Sequence, residues 1–422
     1  MNVFQKIKMI ALDATLRNRI LFVMFAFVLF RLLAVVPVPG IDASLVARFL
    51  NDNQFLGLLN IFSGGGLSGL SLVMLGVGPY ITASIIMQLL TVMVPSLKSM
   101  YHEEGEIGRK KFTKISRYIT VPIAGIQGFG LLTLLVQQGI LPALGVAGMA
   151  STLVIVIAGA MLITWIGELI SEFGIGNGIS LIIFAGIVGI LPQTMRQLVA
   201  LYDPSQLITF ISLALIALVV IIAIVIVNEA ERPIPVTYSK HSLGTSTYGK
   251  TATYLPIRVN QAGVMPIIFA LAILLFPQMV SSLFLASSSF FAQNVGRALT
   301  TFVETGWLYS LVYFVLVFGF TYFYTAITFD PHATAENLQK NGGFISGVRP
   351  GAQTQEFLGT VVTRLTFVGA MFLGLIAVIP FIIQSVTGIT AITIGGTSLL
   401  IVVAVVIDLI KKVDAQVAMR SY

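Results

Sequence analysis

Cysteine is absent from the 422 residues, which excludes disulfides, thiolate metal sites and cysteine nucleophiles. Charge is nearly as scarce. Asp, Glu, Lys and Arg make up 10% of the chain, against about 25% in an ordinary soluble domain. A fold of this length cannot cover its surface with so few charges, so soluble-enzyme and disordered readings are excluded. Chemistry motifs are missing too. No G-x-x-x-x-G-K-[ST] occurs, so the chain holds no P-loop. Gly174-Ile175-Gly176-Asn177-Gly178 is glycine-rich, but it follows an apolar run rather than a strand of a βαβ unit. His102-Glu103-Glu104-Gly105-Glu106 lacks the second histidine of a zinc-protease helix. His241 and His332 are too scattered to join it in a metal site. No catalytic, cofactor-binding or metal-ligating residue is assigned, and no enzyme activity is expected.

What the chain has is apolar length: 57% of it is hydrophobic. Ten segments reach the roughly 20 residues that a bilayer requires of a spanning helix. They run about 20–38, 72–94, 115–137, 148–169, 178–198, 207–227, 264–286, 307–329, 358–383 and 396–410, the last extending back through Ile392. The first runs into Pro37-Val38-Pro39-Gly40 with no small-x-small cleavage pattern, so it reads as a span rather than a signal peptide. Ten spans put both termini on one side. Lys and Arg then divide 20 to 4 in favour of that side, and Asp and Glu 13 to 4. The basic side faces the cytoplasm, which places both termini there in a multi-pass protein of the cytoplasmic membrane. Two connections on that side, near 228–263 and 330–357, are long and polar, whereas outer connections are mostly short. Work with soluble partners is expected on the cytoplasmic side.

No Asp or Glu falls at mid-span; Glu168, Glu172 and Asp408 lie at cytoplasmic span ends. Ion-coupled transporters commonly use an intramembrane carboxylate, so its absence weighs against that class. Arg31 lies in the outer half of the first span, where its side chain can snorkel. The stretch Phe62-Ser63-Gly64-Gly65-Gly66-Leu67-Ser68-Gly69 is too short and glycine-rich to span alone. Irregular backbone at membrane depth survives only when buried in protein or lining a cavity, so 60–71 is a candidate re-entrant segment. Ile81, Ile85, Gln88 and Val92 share one helix face, as do Ile179, Ile183 and either Ile187 or Gly186. Such faces serve either helix packing or a hydrophobic constriction that blocks water by dewetting, and periodicity does not choose between them.

Eight motifs in order carry a resemblance to a known family. They begin with Pro37-Val38-Pro39-Gly40-Ile41, Gly78-Pro79-Tyr80-Ile81-Thr82-Ala83-Ser84-Ile85 and Gly105-Glu106-Ile107-Gly108-Arg109. Trp165-Ile166-Gly167-Glu168 with Gly174-Ile175-Gly176-Asn177-Gly178, then Glu231-Arg232-Pro233-Ile234-Pro235, follow. The last three are Leu255-Pro256-Ile257-Arg258-Val259-Asn260-Gln261, Gly342-Gly343-Phe344-Ile345-Ser346-Gly347-Val348-Arg349-Pro350 and Gly395-Gly396-Thr397-Ser398-Leu399. Over roughly 15–421 the chain resembles the SecY/Sec61-α family of protein-conducting channels.

The resemblance implies an all-α hourglass of ten transmembrane helices in two inverted-repeat halves of five, 1–200 and 201–422. It implies a pore ring at Ile81, Ile85, Ile179, Ile183, Ile268 and Ile401, plugged from outside by 62–69. All six ring positions are isoleucine, which favours the constriction over packing. A lateral gate between spans two and three and spans seven and eight would open to lipid, with Gln88, Asn260 and Gln127 at its seam. Weak polar contacts suit a gate that a hydrophobic signal helix must part. Lys240, Lys250, Arg258 and Arg349 would dock the SecA ATPase and the ribosome. SecE would clamp the halves, with SecG peripheral. Nucleic acid would be met only as ribosomal RNA. The implied function is translocation of unfolded, signal-bearing polypeptides and their lateral release into lipid. Departures fall on the docking loops. The tip from Lys240 to Lys250 holds no arginine, Ser346 stands where proline is common, and Ala352-Gln353 lacks a basic residue. The resemblance therefore carries docking, ribosome contact above all, less far than the channel. The alternatives are a secondary transporter of small solutes and an accessory export channel with restricted clients.

Overall fold

The computed structural model describes residues 12–38, 60, 63–139, 141–142, 145–200, 207–238, 253–285, 289–387 and 390–420. The described helices are α1 (Ala14–Val35), α2 (Gly78–Met93), α3 (Pro95–His102), α4 (Gly105–Gln137), α5 (Val146–Phe173), α6 (Gly178–Ala200), α7 (Leu207–Glu229), α8 (Met265–Leu285), α9 (Phe290–Glu304), α10 (Gly306–Thr328), α11 (Pro331–Lys340), α12 (Ala352–Thr387) and α13 (Thr390–Arg420). Each expected span contains one of them. Among the described residues, five helices are long and apolar enough to cross a membrane, and α2 with α3, bent by 114° at Pro95, makes a sixth. Shorter apolar helices, Gly178–Pro192, Ala214–Glu229 and Met265–Leu274, fall in the fifth, sixth and seventh spans.

The spanning helices are apolar on both faces, which is what lipid demands. α1 is typical. Asp13 caps it, accepting from the amides of Thr15 at 2.8 Å and Leu16 at 3.1 Å. It buries Leu16, Val23, Ala26, Phe30 and Ala34, while Leu21, Met24, Phe25, Val28 and Leu32 stay exposed on the face left for lipid. α10 buries Tyr309, Tyr313, Val317, Thr321 and Thr325 at steps of four, one stripe per turn. α12 lies along α10, and α13 along α12. In the first half, α4 packs on α2 and α5, and α5 on α6. The two sets meet where α8 touches α2 and α4, and where α13 touches α6.

Two expectations change. The second span was read from residue 72, but α2 starts at Gly78; residues 71–77 are buried turn and continue the re-entrant segment. Gly76 (φ +55) turns the chain and Pro79 opens the helix, so the apolar run before them is not helical. The polar connections also carry structure. Strands β1 (Glu231–Tyr238), β2 (Thr253–Arg258) and β3 (Gly343–Ile345) form an antiparallel sheet ordered β2-β1-β3, with Ile234 opposite Leu255 and Val236 opposite Ile345. β3 pairs only with 236–238, so over 231–235 β1 has an open edge where the missing amide protons of Pro233 and Pro235 cost nothing. Ile234, Val236, Ile257 and Ile345 pack with Leu338 of α11 and Leu358 of α12 in an apolar core separate from the main one.

Backbones approach closely where glycine allows it. A Cβ on Gly159 would stand 1.8 Å from the Leu72 carbonyl oxygen, so α5 supports the turn segment without a side chain between them. Gly159→Val should destabilise by about 1–3 kcal/mol, read as a lower thermal unfolding midpoint in detergent. Gly319→Val is the control, because nothing lies within 4 Å of its Cβ position. Equal midpoints for the two would show the approach to be slack.

Candidate functional site

The hairpin between α5 and α6 shows how the glycine-rich motif works. Gly174 ends α5, its amide donating to the Ile170 carbonyl at 2.9 Å. Gly176 turns at φ +93. Asn177 caps α6, accepting from the amides of Ile179 at 3.1 Å and Ser180 at 3.3 Å. A Cβ on Gly178 would meet the Gly167 carbonyl oxygen at 1.8 Å, so the hairpin is closed backbone against backbone. This fixes the start of α6 and the direction of its isoleucine face.

Five of the six ring candidates are fully buried: Ile81 (5% exposed), Ile85 (2%), Ile183, Ile268 and Ile401 (1% each). They share one apolar core, and Ile179 packs against it half-buried. They come from four helices, α2, α6, α8 and α13. A cavity of about 1040 Å³ ends on Ile81, Ile179, Ile183 and Ile268. Its walls carry Arg109, Lys110, Lys114, Arg117, Glu168 and Glu172. These are the ends of α4 and α5 that share a side with the sheet, since successive spans alternate in direction. Arg117 forks onto Glu168, donating Nε to Oε1 at 3.2 Å and Nη2 to Oε2. That pair ties α4 to α5 across the wall and is bidentate, hence orienting. So a water-accepting, charged vestibule gives way to an isoleucine floor.

Beyond the floor lies the glycine-rich segment. Ser63, Gly64, Gly66 and Leu67 are buried, and Gly65, Ser68 and Gly69 are half-buried; Phe62 lies outside the described residues. Its turns are tied internally. The amides of Gly65 and Ser68 donate to the Asn60 carbonyl (2.8 Å) and Oδ1 (2.9 Å), and that of Leu67 to Ser63 Oγ at 3.0 Å. The Val38 amide donates to Leu70 and that of Leu72 to Val36, at 2.8 and 3.0 Å, stitching the segment to the chain after α1. Leu70 sits at φ +42, a conformation disfavoured for its type. Every amide so used removes a donor that lipid could not satisfy.

The three seam candidates make bonds that stay within one group of helices. Gln127 of α4 donates to Thr82 Oγ1 of α2 at 3.2 Å. Gln88 donates to Ser84 Oγ one turn earlier at 3.4 Å, and lines the vestibule. Asn260 donates to Asn228 Oδ1, at the end of α7, at 2.7 Å. None of these bonds runs from α2 or α4 to α8 or α10. Gln88 Oε1 and Asn260 Oδ1 are buried acceptors without a partner among the described residues. Of the docking candidates, Arg258 ends β2 opposite Glu231, and Arg349 is exposed in the turn after β3, where its carbonyl accepts from Thr354 Oγ1 at 2.9 Å. Lys240 and Lys250 lie outside the described residues. The Arg117–Glu168 fork went unread in the sequence, although both charges stand at the same depth of neighbouring antiparallel spans.

A charged vestibule, a buried isoleucine cluster and a buried glycine-rich turn, stacked within a bundle of apolar helices, define a multi-pass helical membrane channel. The family model for SecY matches residues 71–410. A protein translocase subunit SecY of Synechocystis sp. is 41% identical over 97% of this chain and 94% of its own length. Among solved structures, a protein conducting channel superimposes with a TM-score of 0.64 at 18% identity, covering 95% of this chain and 92% of its own. Sec61 in a canine ribosome–channel complex from the endoplasmic reticulum gives 0.59 at 18% identity, over 95% of this chain and 92% of its own. The chain belongs to the SecY family.

Proposed function

We propose that this chain conducts unfolded polypeptides across a membrane and releases their hydrophobic segments sideways into lipid. The observation that carries the reading is the stack itself: a cavity of about 1040 Å³ floored by isoleucine, with a buried turn segment behind the floor. A waist without charge holds back ions by dewetting, yet offers no fixed site to any one solute. That suits a cargo of every sequence and argues against a small-solute transporter, as family membership does. Ile81, Ile85, Ile179, Ile183, Ile268 and Ile401 act as the ring in this reading, and 62–69 as the plug. A signal helix enters beside α2 and α8, where Gln88 and Asn260 each keep a buried acceptor in reserve. Residues 1–200 and 201–422 act as the two halves.

The channel sits in the cytoplasmic membrane with both termini inside, on the strength of the 20-to-4 division of Lys and Arg. The sheet presents Arg258 and Arg349 to soluble partners, the ribosome and the SecA ATPase. Arginine's rigid, permanently charged fork suits such contacts. SecE clamps the halves and SecG sits peripherally.

A photo-crosslinker at Ile183, offered translocation intermediates with and without a working signal sequence, tests the reading. Cross-links to the nascent chain that depend on the signal are expected. Their absence with SecE, SecA and ribosomes present, at Ile183 and again at Ile81 and Ile401, would refute a polypeptide pore at this waist.

A further inference from the structure

Arg31 does not snorkel along α1 as its depth suggested. It turns inward, half-buried, one residue after the fully buried Phe30. No carboxylate among the described residues pairs with it. Its Nη1 instead donates to the carbonyl oxygen of Gly64, in the turn segment, at 2.6 Å. The guanidinium lies directly on the backbone of α6. A Cβ on Gly189 would stand 1.5 Å from Nη2 and 1.9 Å from Cζ, so the arginine occupies space that only glycine leaves open. Gly64 (φ +65) is held just as closely, since a Cβ there would meet Phe30 Cζ at 2.3 Å and Gly186 Cα at 3.0 Å. One side chain thus joins three elements: α1, α6 and the turn segment.

We propose that Arg31 is the latch of the plug, a positioning residue that holds the turn segment from Ser63 to Gly69 in place through the Gly64 carbonyl while seated in the slot at Gly189. The inference rests on the plug reading of that segment. A charge-assisted bond is stronger than a neutral one, and a guanidinium in dry apolar surroundings has few substitutes for it. The bond is therefore firm while the channel is dry. Once the plug moves and water enters, solvent hydrates the guanidinium, and the latch no longer resists. Such a device favours a closed state without preventing the open one.

The chain has no cysteine, so a single one placed at Ser68, half-buried in the plug, reports on the latch. The full chain is kept in its assembled complex, in membrane vesicles without nascent chains, and the rate of maleimide labelling is measured. Arg31→Met should speed labelling by about tenfold or more, the loss expected for a bond to a charged donor. Gly189→Ala, which keeps the arginine but fills its seat, should do the same. The double variant should label no faster than Arg31→Met alone, because with methionine at 31 nothing is left for the new methyl to displace. General loosening of the fold would instead make the two effects multiply. Parental labelling in Arg31→Met, or multiplying effects in the double variant, overturns the latch. Should Arg31→Met fail to assemble, Gly189→Ala decides alone, parental labelling again overturning it. Labelling requires no polypeptide movement, so these outcomes leave the pore reading to the Ile183 cross-link.

Discussion

Ile401→Asn should export a reporter with a defective signal sequence about 10 to 100 times faster than the parent channel. The factor follows from what closes the waist. Ile401 is 1% exposed in a core shared with Ile81, Ile85, Ile183 and Ile268, and no charge stands among them. Closure by apolar contact works only while the waist stays dry. An asparagine amide there lacks partners when closed, at about 1–3 kcal/mol for the unmade bonds, and each 1.4 kcal/mol is tenfold in an equilibrium. The open waist is wet, so the penalty falls on the closed state alone. Signals too weak to open the parent channel then suffice. Ile401→Val, which keeps the surface apolar, should hold stringency near the parent's. Export is followed as signal-peptide cleavage or periplasmic activity of the reporter; parental stringency in Ile401→Asn would remove Ile401 from the waist.

The spans were legible because lipid leaves so little choice. A run of about 20 apolar residues has few other readings, and the division of Lys and Arg gives each connection an expected side. The hairpin at 174–178 was legible as a motif, but its mechanics were not. That Gly178 touches the Gly167 carbonyl depends on two residues eleven positions apart meeting in space. The boundary at Gly78 was misplaced for a related reason: hydropathy runs on smoothly from 72, and only glycine and proline mark where the helix begins. The sheet escaped notice because its strands are short and β1 carries two prolines, which read as loop unless the open edge is known.

Side-chain partners were the least legible. Depth along a span indicates whether a charge is costly, not what relieves the cost. Arg31 and Glu168 both sit where the sequence placed them, yet one meets a carbonyl from a turn and the other an arginine from the preceding span. Asn260 is similar. The family resemblance assigned it to a seam, and its bond runs to Asn228 within the second half of the chain. Periodicity assigns faces; it does not say which neighbour arrives at them.

The sheet yields the second large effect. Ile257→Asp should lower SecA-driven translocation by more than about tenfold while leaving the closed waist tight. Ile257 is 1% exposed and packs in a core with Ile234, Val236, Ile345 and Leu358, apart from the core that holds the spans. A carboxylate buried there without a partner carries a penalty of several kcal/mol, on the order of 4 or more. A sheet of three short strands has little to set against that, so it opens rather than bears the charge. The sheet core meets the spans at the start of α12, through Leu358, Val361 and Val362, while the main core packs the remaining length of the spans, so they stay assembled. Arg258 and Arg349 then lose the common frame that β1 provides between the two connections. Phe344→Asp is the matched control, since Phe344 points to the exposed face of β3 between two buried neighbours. Translocation is measured in proteoliposomes with SecA and ATP, and opening of the sheet by limited proteolysis within 231–258. Parental translocation from a channel whose sheet is demonstrably open would show that docking does not depend on this frame. Loss in both variants alike would place the defect in surface charge rather than in the sheet.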